Sequence, residues 1–328
     1  DAFFEMIRTR GEHDPAVAAY FLGGLVDPEA HRWRETFVAD APHVVAHGLR
    51  ALGDDGSWDL RERLLESSPR LIARSLAGAA VEGERADAMR KTLAAEVPLA
   101  VLGTQNGKDA ELAWELRDKL RTRYPNEVLA SLQGMDDERA WEQREAFIEQ
   151  FGEDAVFGSL TALRALLSSL KGLGNERAWA LRNRAVQVAP AHMLRSLSTL
   201  SCDQSWDLRD EYVALAPKIV MRTFDGQDSE RAWAMRRRFA PKVKESLEGM
   251  IGLDSEAAWG IRDALKDTWP STVAKSLGAL AASERGLELI QYLLSEYPDN
   301  LSLLKHATQV AAARATGGAA RRGQADAG

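Results

Sequence analysis

The residues in this chain best able to do chemistry are arginines set at a fixed distance from tryptophans. Trp-x-x-Arg occurs at Trp58, Trp114, Trp141, Trp179, Trp206, Trp233 and Trp259, with the arginines at Arg61, Arg117, Arg144, Arg182, Arg209, Arg236 and Arg262. Arg90 holds the same place in a degenerate copy whose Trp position is Asp87. Positions i and i+3 are neighbours on a helix, so each guanidinium can lie against its indole. Two chemistries follow. In one, every Trp fills a seam between stacked units, and its arginine packs on the ring and pairs with a carboxylate of the next unit, since acid often follows the arginine (Arg61-Glu62, Arg117-Asp118, Arg144-Glu145, Arg209-Asp210, Arg262-Asp263). In the other, Arg61, Arg90, Arg117, Arg144, Arg182, Arg209, Arg236 and Arg262 form a basic track for phosphates or an acidic partner. The first is preferred, because residues repeated in every copy are those that stacking requires, whereas partner-binding residues vary from copy to copy.

Other chemistry is sparse. Gly103-Thr-Gln-Asn-Gly107-Lys108-Asp109 resembles a phosphate loop, but it is one residue short, places Asp where Ser or Thr should meet magnesium, and follows no strand. His43 and His47 share a helical face without the Glu of a zinc-protease motif, and His31 is the only further imidazole that suggests itself as a ligand. Cys202 is the single cysteine, has no assigned His partner and begins a loop. No catalytic residue and no metal ligand is assigned.

The elements that must position the ladder follow from its period. Trp114 to Trp141, Trp179 to Trp206 and Trp206 to Trp233 are each 27 residues apart. With Asp87 and Leu287 as degenerate copies, and Trp33 and Phe4 at the equivalent place in two earlier units, the chain holds about eleven units of ~27 residues. A proline usually follows the Trp position by eleven (Pro15, Pro69, Pro98, Pro125, Pro190, Pro217, Pro270, Pro298), and Ser-Leu six residues later (Ser75, Ser131, Ser196, Ser276). Each unit therefore reads as two helices. The first opens on Asp, Ser or Asn and then an acid, as at Asn175-Glu176. Proline closes it and opens the second, whose apolar stripe (Val128, Leu129, Leu132, Met135) ends near a glycine such as Gly134. Alternation of period two is missing, so no strand is expected.

Neither helix of a pair can hide its apolar face alone. The expected fold is all-α, an α/α superhelix of the HEAT-like solenoid kind, forming one domain over 1–310 with a loose Gly- and Ala-rich tail over 311–328. Trp141 to Trp179 is eleven residues longer than the repeat, about three helical turns, which predicts one long second helix over about 154–171. A smaller slip follows Trp233, where Pro241 comes after eight residues.

Composition agrees with a folded chain: 45% hydrophobic and 28% charged, with 42 Lys+Arg against 49 Asp+Glu for a net charge of −7. That balance disfavours nonspecific nucleic-acid binding, and no run is long and apolar enough for a membrane span. One cysteine suits a reducing compartment, and no basic-then-apolar leader precedes Phe3-Phe4, so a cytoplasmic location is expected.

The tandem pattern is carried best by Asp137-Glu-Arg-Ala-Trp-Glu-Gln-Arg144 and Asp228-Ser-Glu-Arg-Ala-Trp-Ala-Met-Arg236. It resembles the Trp/Arg-rich helical repeats at the C-terminal end of long actinobacterial thymidylate kinase-type proteins. That resemblance implies a parent chain with a dTMP kinase domain using ATP and Mg; none of that domain's phosphate-loop residues maps onto this segment, so no cofactor is assigned to it. The expected function is a non-catalytic scaffold for a protein partner or an attached domain. The alternatives are a HEAT-like DNA glycosylase-type protein with a basic groove, and an architectural oligomerisation element built on the long helix.

Overall fold

The computed structural model describes residues 2–50, 52–77 and 81–307. The predicted tail over 311–328 lies outside them. All regular structure among the described residues is helical, with no strand, which makes this an all-α tandem repeat of helix pairs. No helix among them is long and apolar enough to cross a membrane. The chain forms two compact units, one of Asp1–Gln105 with Leu304–Gly328 and one of Asn106–Leu303.

The pairs form for local reasons. In the second unit the first helices are Glu111–Leu120, Glu138–Phe151, Glu176–Val188, Asp203–Tyr212, Glu230–Phe239, Glu256–Leu265 and Glu284–Glu296. Asp137 accepts from the Ala140 N–H at 2.9 Å and Asn175 from the Ala178 N–H at 2.9 Å, so side-chain oxygens satisfy donors that the first turn leaves free. Proline occupies the first turn of the second helices Pro125–Ser131, Pro190–Arg195, Pro217–Arg222 and Pro270–Leu277, where a missing N–H costs nothing. These second helices are only two turns long and would not persist in water alone. Packing holds them: Leu129, Leu132, Leu166, Leu170, Leu194, Leu197, Met221 and Phe224 are buried in one continuous core with Trp114, Trp141, Trp179 and Trp206.

The first unit repeats the construction with Asp55–Leu64 and Pro69–Ser75, then Glu84–Ala94 and Pro98–Gly103. Its core contains Leu49, Leu60, Ile72, Leu76 and Val101, all nearly without solvent contact.

Two expectations are corrected here, and the slip after Trp233 takes a definite form. The long helix over 154–171 does not form: the inserted residues lengthen the first helix to Phe151, add Glu153–Gly158, and leave Leu160–Ser169 as the second helix. Ser159 breaks the run because its backbone is extended and its hydroxyl accepts from the Ala162 N–H as an N-cap. In the second repeat, His31 and not Trp33 holds the Trp position, since Pro42 follows His31 by eleven and Arg34 is the buried arginine. After Trp233, Ala240–Lys242 is a 3-10 turn and the second helix shrinks to Glu245–Glu248.

Candidate functional site

The arginines of the ladder are inside the protein. Arg34, Arg61, Arg117, Arg144, Arg182, Arg209, Arg236 and Arg262 have no measurable solvent exposure, and Arg90 has 2%. This overturns the reading of Arg61 through Arg262 as a track open to an anionic partner. It also corrects the acceptor. The guanidinium groups do not pair with a carboxylate of the next unit; they donate to backbone carbonyls of the preceding one.

Arg182 shows the arrangement in full. Its Nη2 donates to Leu170 O at 2.6 Å, its Nη1 to Leu173 O at 2.6 Å, and its Nε to Ser196 Oγ at 3.0 Å. Leu170 is the C-cap of Leu160–Ser169, and Leu173 lies in the loop just beyond. The last carbonyls of a helix have no intrahelical donor, so each arginine works as a C-cap supplied from the next repeat. The same offsets of twelve and nine residues recur for Arg34 (Leu22, Leu25), Arg61 (Leu49, Leu52), Arg144 (Leu132, Met135), Arg236 (Phe224, Gln227) and Arg262 (Met250, Leu253). The second anchor is the hydroxyl of the arginine's own repeat. Ser75, Ser131, Ser169, Ser196, Thr223 and Ser276 accept from the Nε of Arg61, Arg117, Arg144, Arg182, Arg209 and Arg262 at 2.8–3.1 Å. The recurring Ser of Ser-Leu is therefore the partner of the recurring Arg of Trp-x-x-Arg.

A buried cation without a facing carboxylate is costly, and burial lowers the Arg61, Arg117, Arg144, Arg182, Arg209, Arg236 and Arg262 pKa values to about 10. They remain charged at neutral pH. The negative ends of the capped helices and the faces of the indoles offset the desolvation, with each guanidinium carbon 4.5–4.9 Å from the ring centroid of Trp58, Trp114, Trp141, Trp179, Trp206, Trp233 or Trp259.

The tryptophans, at 2–7% exposure, lie at the seams between successive repeats. Their outer faces carry a second set of arginines that sequence reasoning missed. Arg139 stacks on Trp114 at 4.3 Å, Arg177 on Trp141 at 4.5 Å, Arg231 on Trp206 at 5.4 Å, and Arg285 on Trp259 at 4.5 Å, each reaching across from the next repeat. Arg85 does the same on Trp58 in the first unit. These outer arginines meet the carboxylates: Arg177 with Glu138 and Glu145, Arg139 with Asp118, Arg85 with Glu62. The signal was present, since each stands two residues before a Trp position. Where that position is Gln204 or Ala257, Trp179 and Trp233 have an arginine on one face only.

Two copies depart from the ladder: Ile7 fills the arginine position in the first repeat, and Ile290 fills it in the copy centred on Leu287. His31 Nδ1 faces Arg34 Nη1 at 3.1 Å and its Nε2 faces Asp54 at 2.7 Å. Burial first, then the Arg34 charge, hold the His31 pKa below its ordinary value against the pull of Asp54, so the ring is neutral, accepting at Nδ1 and donating at Nε2.

The remaining sequence candidates have ordinary roles. Gly107 takes φ 69° and donates its N–H to Ser131 O, while Asp109 accepts from the Trp114 indole at 2.6 Å, so the phosphate-loop resemblance is a repeat junction. His43 and His47 are exposed, and no cluster of three metal-ligating side chains exists among the described residues. Cys202 is exposed and occupies the N-cap position of Asp203–Tyr212 without a side-chain capping bond.

With the ladder absorbed by stacking, the surface left for function includes the outward side of the second helices. In the second unit, the residue preceding four of the buried hydroxyls points out: Ser168, Arg195, Arg222 and Lys275 are all exposed. One cleft of about 340 Å³ opens on this side between Leu160–Ser169 and Pro190–Arg195, lined by Gln133, Arg164, Ser168, Lys171, His192 and Arg195 among others. At its edge is the single non-glycine residue with positive φ among the described residues, Thr199 at 70°. Gly134, Gly172 and Gly226 hold the corresponding place in neighbouring repeats, with φ 67–85°. A β-branched residue is strained in that conformation. Thr199→Gly should therefore raise stability by about 1 kcal/mol, read as a shift of the denaturant midpoint at unchanged slope.

Fold and site together define a helical-repeat protein whose seams are tied by buried arginine caps. No family model, curated protein or solved structure matches the chain.

Proposed function

We propose that this chain is a non-catalytic helical-repeat scaffold that holds a protein partner or an attached domain, and that it serves a nucleotide kinase of the dTMP-phosphorylating class. The observation that carries the reading is the fate of the polar groups. The buried guanidinium groups and hydroxyls that recur through the chain are committed to each other and to helix-end carbonyls. What remains outside is a set of short helices offering exposed basic and polar side chains, the kind of surface repeat proteins present to partners.

The kinase link rests on the likeness of Asp137–Arg144 and Asp228–Arg236 to the repeats that follow such kinases. ATP and Mg would then be held by a separate catalytic domain, because the Gly103–Asp109 stretch does not fit a triphosphate: the Gly107 N–H and the Asp109 carboxylate already serve the repeat junction. The DNA-binding alternative loses its arginines to the seams, and the oligomerisation alternative loses its long helix at Ser159.

Incubating the purified chain with ATP, Mg and dTMP, and separately with alkylated and abasic duplex DNA, should give no turnover. Phosphorylation of dTMP or release of a base above the protein-free rate would overturn the scaffold reading.

A further inference from the structure

The cleft between Leu160–Ser169 and Pro190–Arg195 differs from the first-helix side in its charge balance. There, cations are neutralised: Arg139 pairs with Asp118 and Arg177 with Glu138 and Glu145. Here, Arg164, Lys171, His192 and Arg195 line one concave site with Gln133 and Ser168, and no carboxylate joins them. Neither Arg164, Lys171 nor Arg195 makes an ion pair or a side-chain hydrogen bond. Two of them are close enough for His192 to sense, since the Arg195 and Arg164 charges add to burial in holding the His192 pKa down.

Like charges gathered without a counter-charge are unfavourable for folding, and nothing in the stacking scheme needs these side chains. Arg182 is satisfied by Leu170, Leu173 and Ser196 without them. The strained turn at Thr199 adjoins the site, its hydroxyl donating to the carbonyl of Ser198, which also lines the cleft. Backbone strain of this kind collects at ligand sites. The first unit has a similar cleft of about 380 Å³, in which His47, Arg50 and Arg74 gather, again with no acidic residue in the lining.

We propose that the cleft formed by Arg164, Lys171, His192 and Arg195 binds a phosphomonoester carried on a peptide segment of a protein partner. The proposal deepens the scaffold reading and rests on it. Two guanidinium forks, an ammonium, and the amide and hydroxyl of Gln133 and Ser168 offer more donors than one carboxylate can use. A phosphomonoester brings close to two negative charges and three acceptor oxygens. A nucleic-acid backbone fits less well, because it presents a charge about every 1.7 Å and needs a continuous track. The exposed row is broken by Ala130 on one side of the cleft and by Glu248 on the other, and Glu248 and Glu245 both engage Arg222.

The test titrates the whole chain, by calorimetry at low salt, with four probes: a pentapeptide bearing a central phosphoserine, the same peptide unphosphorylated, inorganic phosphate, and a short duplex DNA. The phosphopeptide should bind and inorganic phosphate should compete with it, while the unphosphorylated peptide should not bind. Arg164→Ala and Arg195→Ala should each weaken phosphopeptide binding roughly ten- to hundredfold, with melting midpoints unchanged or slightly raised, because both side chains are exposed and each substitution relieves like-charge repulsion. Arg121→Ala, outside the cleft, should have no effect. Failure of the phosphopeptide to bind, equal binding of both peptides, binding undiminished in the Arg164→Ala/Arg195→Ala chain, or phosphate binding with the phosphopeptide refused would each overturn the proposal. Duplex binding lost in the same double variant would reassign the cleft to nucleic acid and overturn it too. These failures are distinct from that of the scaffold reading, which falls only if the chain turns over a substrate.

Discussion

Arg182→Met should lower the stability of the second unit by roughly 3–5 kcal/mol, although the new side chain is apolar and of similar length. The loss has little to do with cavity formation. Removing the guanidinium leaves Leu173 O and Ser196 O buried without their donor, leaves Leu170 O with the Leu173 N–H alone, and takes the donor from Ser196 Oγ. Arg182→Lys should fall between the two, since one ammonium cannot reach acceptors that a fork spans. In a tandem array each repeat leans on its neighbours, so the early loss should appear in amides of Leu160–Ser169 and Pro190–Arg195, followed by hydrogen exchange. A change confined to Glu176–Val188 would contradict the capping role.

Trp141→Ala should be comparably severe, at about 3–5 kcal/mol. The indole fills the seam between Arg144 and Arg177, and its N–H donates to Asp136 at 2.8 Å. Its loss opens a cavity beside a buried charge and frees Arg177 from its platform. By comparison Arg177→Ala should shift the thermal midpoint far less, and the shift should shrink as salt is added, because its pairs with Glu138 and Glu145 lie at the surface. Chemical denaturation of the two variants side by side measures the difference.

Much of the architecture was readable because it is written in side chains that have few uses. Proline at a helix start, Asp or Asn before an acidic first turn, and Trp with Arg three residues on each restrict the backbone or the face, and together they fix the period. What the side chains cannot display is the backbone acceptor. The ladder arginines were matched to acids because Glu62, Asp118 and Glu145 follow them in sequence, yet adjacent helical residues point about 100° apart. The carbonyls of Leu170 and Leu173, twelve and nine residues earlier, have no signature of their own. The correct partner for the acids, the arginine that stands two residues before five of the Trp positions (Arg85, Arg139, Arg177, Arg231 and Arg285), was visible but unread. The second repeat was misaligned by following the aromatic at Trp33, whereas Pro42 pointed to His31. The eleven inserted residues kept the apolar stripe in phase, but Gly158-Ser159 offered a helix end and an N-cap that outweighed continuity.

The basic cleft was less legible. Arg164, Lys171, His192 and Arg195 follow no motif, and they come from two repeats that only the fold brings together. Their lack of counter-charges is a property of the surface and not of the sequence, which carries more acid than base overall.

The central claim is that the Trp-x-x-Arg guanidinium groups are buried caps on the preceding repeat. Hydrogen exchange of the arginine Nε–H protons by NMR tests it most directly. The Nε–H of Arg182, bonded to Ser196, should exchange only as fast as the surrounding repeats open, whereas that of Arg164 should exchange at the rate of a free side chain. An Arg182 proton that exchanges as quickly as that of Arg164 in the folded protein would contradict the account.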